Sequence, residues 1–106
     1  MPDILVKYER FGWDPDKRDS NLRMHGIDFR RAAEIFDDAC MHLPAQTIEG
    51  EVRFKAIGQL DDAIIAVIYT DREKGRVCRI ISARRASRNE RRQYQDFREN
   101  RPPEKK

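Results

Sequence analysis

The chain has 106 residues, room for one small domain, with 39% apolar and 39% charged residues, so its core must be lean and its surface densely ionic. Two cysteines, Cys40 and Cys78, exclude a disulfide scaffold and a cysteine-rich zinc module. No apolar run reaches membrane-spanning length and the N-terminus lacks a signal-peptide pattern, so a soluble, cytoplasmic protein is expected.

The net charge of +3 is unevenly spread. Residues 1–75 carry 11 Lys/Arg against 15 Asp/Glu, a net −4, whereas residues 76–106 carry 11 against 4, a net +7. A basic end of that kind suits a polyanion, and nucleic acid is the common one. A helix merely solvated by its arginines explains the charge equally well.

From the N-terminus, residues 4–13 alternate weakly through Val6, Tyr8, Phe11 and Trp13 and read as a strand or a ribbon of two short strands. Asp14-Pro15-Asp16 then starts a helix, with Asp14 as N-cap and Pro15 in its first turn, running to about His25 before Gly26. Asp28 caps a second helix, whose Phe29, Ala32, Ala33 and Phe36 form an apolar stripe. Residues 39–50, with Pro44 and Gly50, read as a loop with a short strand at Gln46 to Ile48. Three strands follow, Arg53 to Gly58, Ala63 to Thr70 and Val77 to Arg84, separated by polar turns. Ile64 to Tyr69 is apolar on both faces and is expected at the centre of the sheet, covered on both sides.

Ser87-Arg88-Asn89-Glu90 is a capping box that opens a last helix to about Glu99. That helix has only Tyr94 and Phe97 to bury and must lean on the sheet or on a partner. One domain over residues 1–99 and a disordered tail over 100–106 are expected.

Three separated motifs carry a resemblance. Trp13-Asp14-Pro15-x-Lys17 with Asn21, His25-Gly26 and Phe29, then Arg53-Phe54 with Ile57-Gly58, then Arg79-Ile80-Ile81-Ser82-Ala83-Arg84 with Ala86, Glu90-Arg91 and Tyr94, resemble the BrnT family of bacterial type II toxins. Arg23 stands where that family often has lysine. The resemblance implies an α+β fold like that of RelE toxins, an antiparallel sheet flanked by two N-terminal helices and one C-terminal helix. It implies an endoribonuclease that inhibits translation, with RNA as substrate and a cognate antitoxin of the ribbon-helix-helix type as partner. Operator DNA would be reached only through that antitoxin.

Cutting RNA without a metal needs a base for the 2′-OH, cations for the phosphorane and an acid for the 5′-oxygen. No His/Cys/Asp cluster has metal spacing, so no cofactor and no metal are expected. Lys17, Asn21 and His25 share a helix face at i, i+4, i+8, and His25 is the candidate acid or base. The structural alternative is that His25 bonds the last carbonyls of its helix. Arg53, Arg79 and Arg84 are the candidate cations; Arg85, Arg88, Arg91 and Arg92 are candidates for holding RNA. In a regular strand Arg79 and Arg85 point one way, Ser82 and Arg84 the other, so one site can hold them all only if a bulge intervenes. Glu51 reads as a solvated turn carboxylate or as a base near Arg53, and Glu90 and Tyr94 as a cap and a packing residue. His42 matches no motif. Two rivals remain open here: a non-catalytic nucleic-acid- or protein-binding module, and an interaction protein without any RNA role.

Overall fold

A computed structural model describes residues 8–100. Its elements are β1 (Arg10–Gly12), α1 (Pro15–His25), α2 (Phe29–Ala32) tightening into a 3-10 turn (Ala33–Asp37), β2 (Met41–Pro44), β3 (Phe54–Leu60), β4 (Ala63–Arg72), β5 (Val77–Arg85) and α3 (Arg88–Asn100). The five strands form one sheet in the order β1-β5-β4-β3-β2. Four of them run antiparallel, while β1 adds in parallel to the edge of β5, so the sheet is mixed rather than antiparallel throughout. The α+β class holds. Of the strand expected over residues 4–13, residues 4–7 lie outside the described part and only residues 10–12 pair; residues 101–106 of the expected tail also lie outside it.

Local chemistry sets the helix ends. The Asp14 carboxylate accepts from the amide of Asp16 at 2.9 Å, and Gly26 takes the left-handed conformation (φ 71°) while its amide donates to Leu22 O at 2.9 Å. Asp28 caps α2 at the amide of Arg30, and Arg18 of α1 grips the same carboxylate with two bonds of 2.8 and 2.9 Å. These contacts, led by the Arg18 fork, hold the Asp28 carboxyl well below the usual carboxylate range. The predicted stripe is core, but after one turn the backbone changes pitch. Phe29, Ala32 and Ile35, three residues apart, are all fully buried, and three residues per turn is the 3-10 repeat.

Two apolar layers sandwich the sheet. One gathers Phe29, Ile35 and Phe36 against Val67, Tyr69, Cys78, Ile80 and Ala83; Trp13 packs on Phe29 there as an anchor. The other sets Tyr94 and Phe97 of α3 against Ile57 and Ala66. The central strand β4 is covered on both faces, as its composition requires, and α3 leans on the sheet. Gly58 sits where the first layer closes on β3: a Cβ there would lie 2.9 Å from Ile35 Cβ and 3.1 Å from Cys40 Cβ. Gly58→Ala is therefore expected to destabilise the fold by about 1–3 kcal/mol, read as a lowered melting temperature.

The loop expected over residues 39–50 is partly a strand. Met41–Pro44 pairs with β3 from Met41↔Ile57 to Pro44↔Phe54. It lies at the sheet edge, where a proline facing outwards costs no ladder bond. In place of a strand at Gln46 to Ile48, a single Ile48↔Glu51 bridge closes a tight turn through Glu49 (φ 51°) and Gly50 (φ 79°). That turn aims Glu51 at the site described next.

Candidate active site

Between β4 and β5 the register slips: Ile68 pairs with Ser82 but Tyr69 pairs with Ile80, which leaves Ile81 as an extra residue. Cys78, Ile80 and Ala83 consequently all enter the same apolar layer despite their spacing of two and then three. Arg79, Ser82 and Arg84 are thereby turned together to the opposite face. Along the outer edge of β5, β1 stops opposite Arg79, and Asn21 of α1 continues the pairing. Its side chain donates to Ala83 O at 2.9 Å and accepts from Ala83 N at 3.1 Å, as a neighbouring strand would. Asn21 thus docks α1 on the sheet edge, and the start of α1 overhangs the open half of the face that carries Arg79.

A cleft of about 210 Å³ opens there, lined by Asp14, Lys17, Glu51, Arg53, Arg72, Arg79, Ile80 and Ile81. Glu51 bridges two of its cations, 3.0 Å from Arg53 Nε and 2.8 Å from Arg72. The Asp14 carboxylate already accepts from its own helix. Lys17 and the half-buried Arg79 have no carboxylate partner among the described residues. A half-desolvated guanidinium without an internal counter-ion is costly, which makes Arg79 a candidate to take up an anion. A planar fork on a rigid strand matches two phosphate oxygens at once.

The structure brings Lys17, Arg53 and Arg79 together and leaves the other candidates elsewhere. His25 sits two turns along α1 from Lys17, about 12 Å by the helix rise, and lines a different hollow with Leu22, Asp61, Asp62 and Arg85. Their common helix face, read from i, i+8 spacing, does not amount to a common site. Arg84 shares the face of Arg79 but is held by α3: its guanidinium forks onto Glu90 at 2.7 and 2.9 Å, and Lys55 reaches the same carboxylate at 2.7 Å. Glu90 also closes the predicted capping box, accepting from the amide of Ser87 at 2.8 Å while its own amide donates to the Ser87 hydroxyl at 3.2 Å. Arg84, then Lys55 and the Ser87 amide, hold the buried Glu90 carboxyl far below the usual range despite its desolvation. Arg88, Arg91 and Arg92 are exposed on the first turns of α3, with Arg91 bonded to Ala86 O at 2.9 Å.

Arg72 escapes the sequence reading, which ends this strand at Thr70; β4 runs on to Arg72 and places it beside Arg53 and Arg79. Sequence alone leaves Glu51 a solvated turn carboxylate or a base near Arg53, and only the tertiary pairing with two arginines shows its place on the cleft wall. The thiols are poor nucleophiles: both cysteines are free and buried, and burial pushes Cys40 up to about 12. His42 is half-buried against Tyr69, whose hydroxyl lies 2.7 Å from Nδ1, and its partial burial lowers its pKa.

Residues 13–90 match the model of a family described as BrnT, ribonuclease toxin of type II toxin-antitoxin systems. The chain belongs to the BrnT family. It is thus a ribonuclease toxin with RNA as substrate and an antitoxin as partner. Among solved structures it is similar to the Brucella abortus ribonuclease toxin BrnT, at 32% identity and a TM-score of 0.62, over 74% of this chain and 97% of that one. No curated protein sequence matches. The span matched to the BrnT family holds every residue of the cleft and ends at Glu90, so most of α3 lies beyond it. Among the described residues no helix is long and apolar enough to cross a membrane, and no group of three His, Cys, Asp or Glu side chains is placed to hold a metal ion.

Proposed function

We propose that the cleft between α1 and the ends of β3, β4 and β5 cuts RNA by metal-independent transesterification. The observation that carries this reading is the convergence of Lys17, Arg53, Arg72 and Arg79 on one hollow, with Arg79 and Lys17 lacking any carboxylate partner among the described residues. Arg79 and Arg53 hold the non-bridging oxygens of the scissile phosphate and stabilise the charge that grows on them as the phosphorane forms. Glu51 takes the proton of the neighbouring 2′-hydroxyl as the 2′-oxygen bonds to phosphorus. The bond from phosphorus to the 5′-oxygen then breaks, and the Lys17 ammonium supplies the proton for the leaving oxygen. The products are a 2′,3′-cyclic phosphate and a 5′-hydroxyl, and Glu51 and Lys17 regain their starting states by exchange with water.

Arg84 serves this site indirectly by tying α3 to the sheet. Arg85, Arg88, Arg91 and Arg92 hold flanking phosphates, which makes binding salt-sensitive. The antitoxin is a ribbon-helix-helix protein that covers the cleft and carries the complex to operator DNA, and the toxin inhibits translation in the cytoplasm. The test is purified protein on a defined RNA in the presence of EDTA, with and without the antitoxin. Cleavage with a cyclic-phosphate end, abolished by the antitoxin, is the expected result; intact RNA sinks the reading. Because His25 lies outside the cleft, His25→Ala is expected to keep the cleavage rate within about threefold of the parent, in contrast to the far larger losses of groups that touch the reacting phosphate.

A further inference from the structure

A second hollow of about 400 Å³ lies beside the cleft, lined by Glu51, Val52, Phe54, Thr70, Asp71 and Arg72. Glu51 and Arg72, joined at 2.8 Å, line both hollows and so form the wall between them. The two hollows adjoin at this wall: Phe54 and Asp71 share the strand parity of Tyr69, and Arg53 and Arg72 that of the cleft, so an RNA strand passes from one hollow to the other round the ends of β3 and β4.

The hollow has an apolar side and one accepting edge. Val52 keeps 54% of its surface exposed and supplies an apolar wall. Phe54 is backed by Tyr69, their rings stacked with centroids 5.6 Å apart, so it offers a firm surface. The Thr70 hydroxyl donates to Val52 O at 2.7 Å and is occupied. Asp71 is the free polar group: its Oδ1 accepts from the Tyr8 hydroxyl at 2.6 Å, and its Oδ2 makes no hydrogen bond among the described residues.

A carboxylate accepts hydrogen bonds and donates none, with about four lone-pair sites on its two oxygens. Of the four RNA bases, guanine alone presents two adjacent donors, N1–H and the N2 amine, on its Watson–Crick edge. Adenine and cytosine place a single amine beside an acceptor, and uracil places one N–H between two carbonyls. We propose that this hollow is a guanine-reading subsite, in which Asp71 accepts from a guanine flanking the scissile phosphate and directs the toxin to cut beside guanosine. The phosphate half of this proposal rests on the reading of the cleft given above; the base half stands on the hollow itself.

The test is a calorimetric titration of the full chain with guanosine, adenosine, cytidine and uridine 3′-monophosphates, and with the bare nucleosides guanosine and adenosine. The guanosine nucleotide is expected to bind at least about tenfold more tightly than the other three, in line with discrimination by a bidentate base contact. Asp71→Asn should remove that preference, and cut sites mapped on a random-sequence RNA should be enriched beside guanosine for the parent only. Equal binding of all four nucleotides, weakened alike by Arg79→Ala, overturns the subsite and leaves the cleft standing. No effect of the phosphate, with guanosine still preferred to adenosine, keeps the subsite and counts against the cleft. Absence of any base preference, with Val52 and Asp71 shielded from solvent exchange only by the antitoxin, assigns the hollow to protein docking and overturns the proposal.

Discussion

Replacing Arg79 with alanine is expected to lower RNA cleavage by roughly 10²–10³-fold, the loss seen when one preorganised donor to a developing oxyanion is removed. The fold should not suffer. Arg79 is half-buried, lies on the same face as Arg84 rather than in the layer formed by Cys78, Ile80 and Ala83, and has no internal ion pair among the described residues to break. Removing it relieves a desolvated charge, so the melting temperature should hold or rise slightly. Arg79→Lys should recover part of the activity, because an ammonium keeps the charge but not the planar fork. The measurement is a single-turnover cleavage rate beside a thermal melt. A large loss of melting temperature together with activity would make Arg79 a structural residue and remove it from the chemistry.

The second large effect is on stability and falls on Glu90. Its side chain is only 8% exposed and holds Arg84, Lys55 and the amide of Ser87 at once. Glu90→Ala strands both cations and opens the cap of α3. Truncating one partner of a buried pair costs about 3–5 kcal/mol; Arg84 and Lys55 keep 37% and 23% of their side-chain surface, so the lower end applies. At about 4–8 °C per kcal/mol for a domain of this size, the expected fall in melting temperature is on the order of 15 °C. The same carboxylate predicts a pH dependence. Its folded pKa is depressed, so its stabilising contribution is complete above the ordinary glutamate value and is lost as the pH falls below that value towards the folded one. The melting temperature of the parent should therefore drop steeply below about pH 4.5, where an unfolded glutamate takes up its proton. Glu90→Gln, which keeps the shape but does not titrate, should start lower at neutral pH and show a shallower acid slope. Asp28, also depressed, leaves the variant a residual slope. Parallel curves for parent and variant would show that Glu90 does not carry this linkage.

Sequence alone determined the features that depend on a few neighbouring residues. The caps at Asp14, Gly26 and Asp28, the capping box from Ser87 to Glu90, the buried stripe from Phe29 to Phe36 and the central place of Ile64 to Tyr69 all follow from local hydrogen bonds or from the period of apolar side chains. The three motifs at Trp13, Arg53 and Arg79 were likewise enough to identify the family. What only the tertiary structure decided is which charges meet. The extra residue at Ile81 turns Arg79 and Arg84 to one face, and a bulge is a property of two strands in register, invisible along one of them. Glu90 engages Arg84, whereas Arg79 keeps an open guanidinium, because α3 lands on one half of that face and leaves the other bare. His25 and Lys17 share a helix but not a cleft, because Asn21 between them pins α1 to the sheet edge and its two ends reach different hollows. Helix ends and periodicity are written in bonds that span a few residues; the assembly of an anion site depends on strand register and on where helices dock, and those are set by contacts many residues apart.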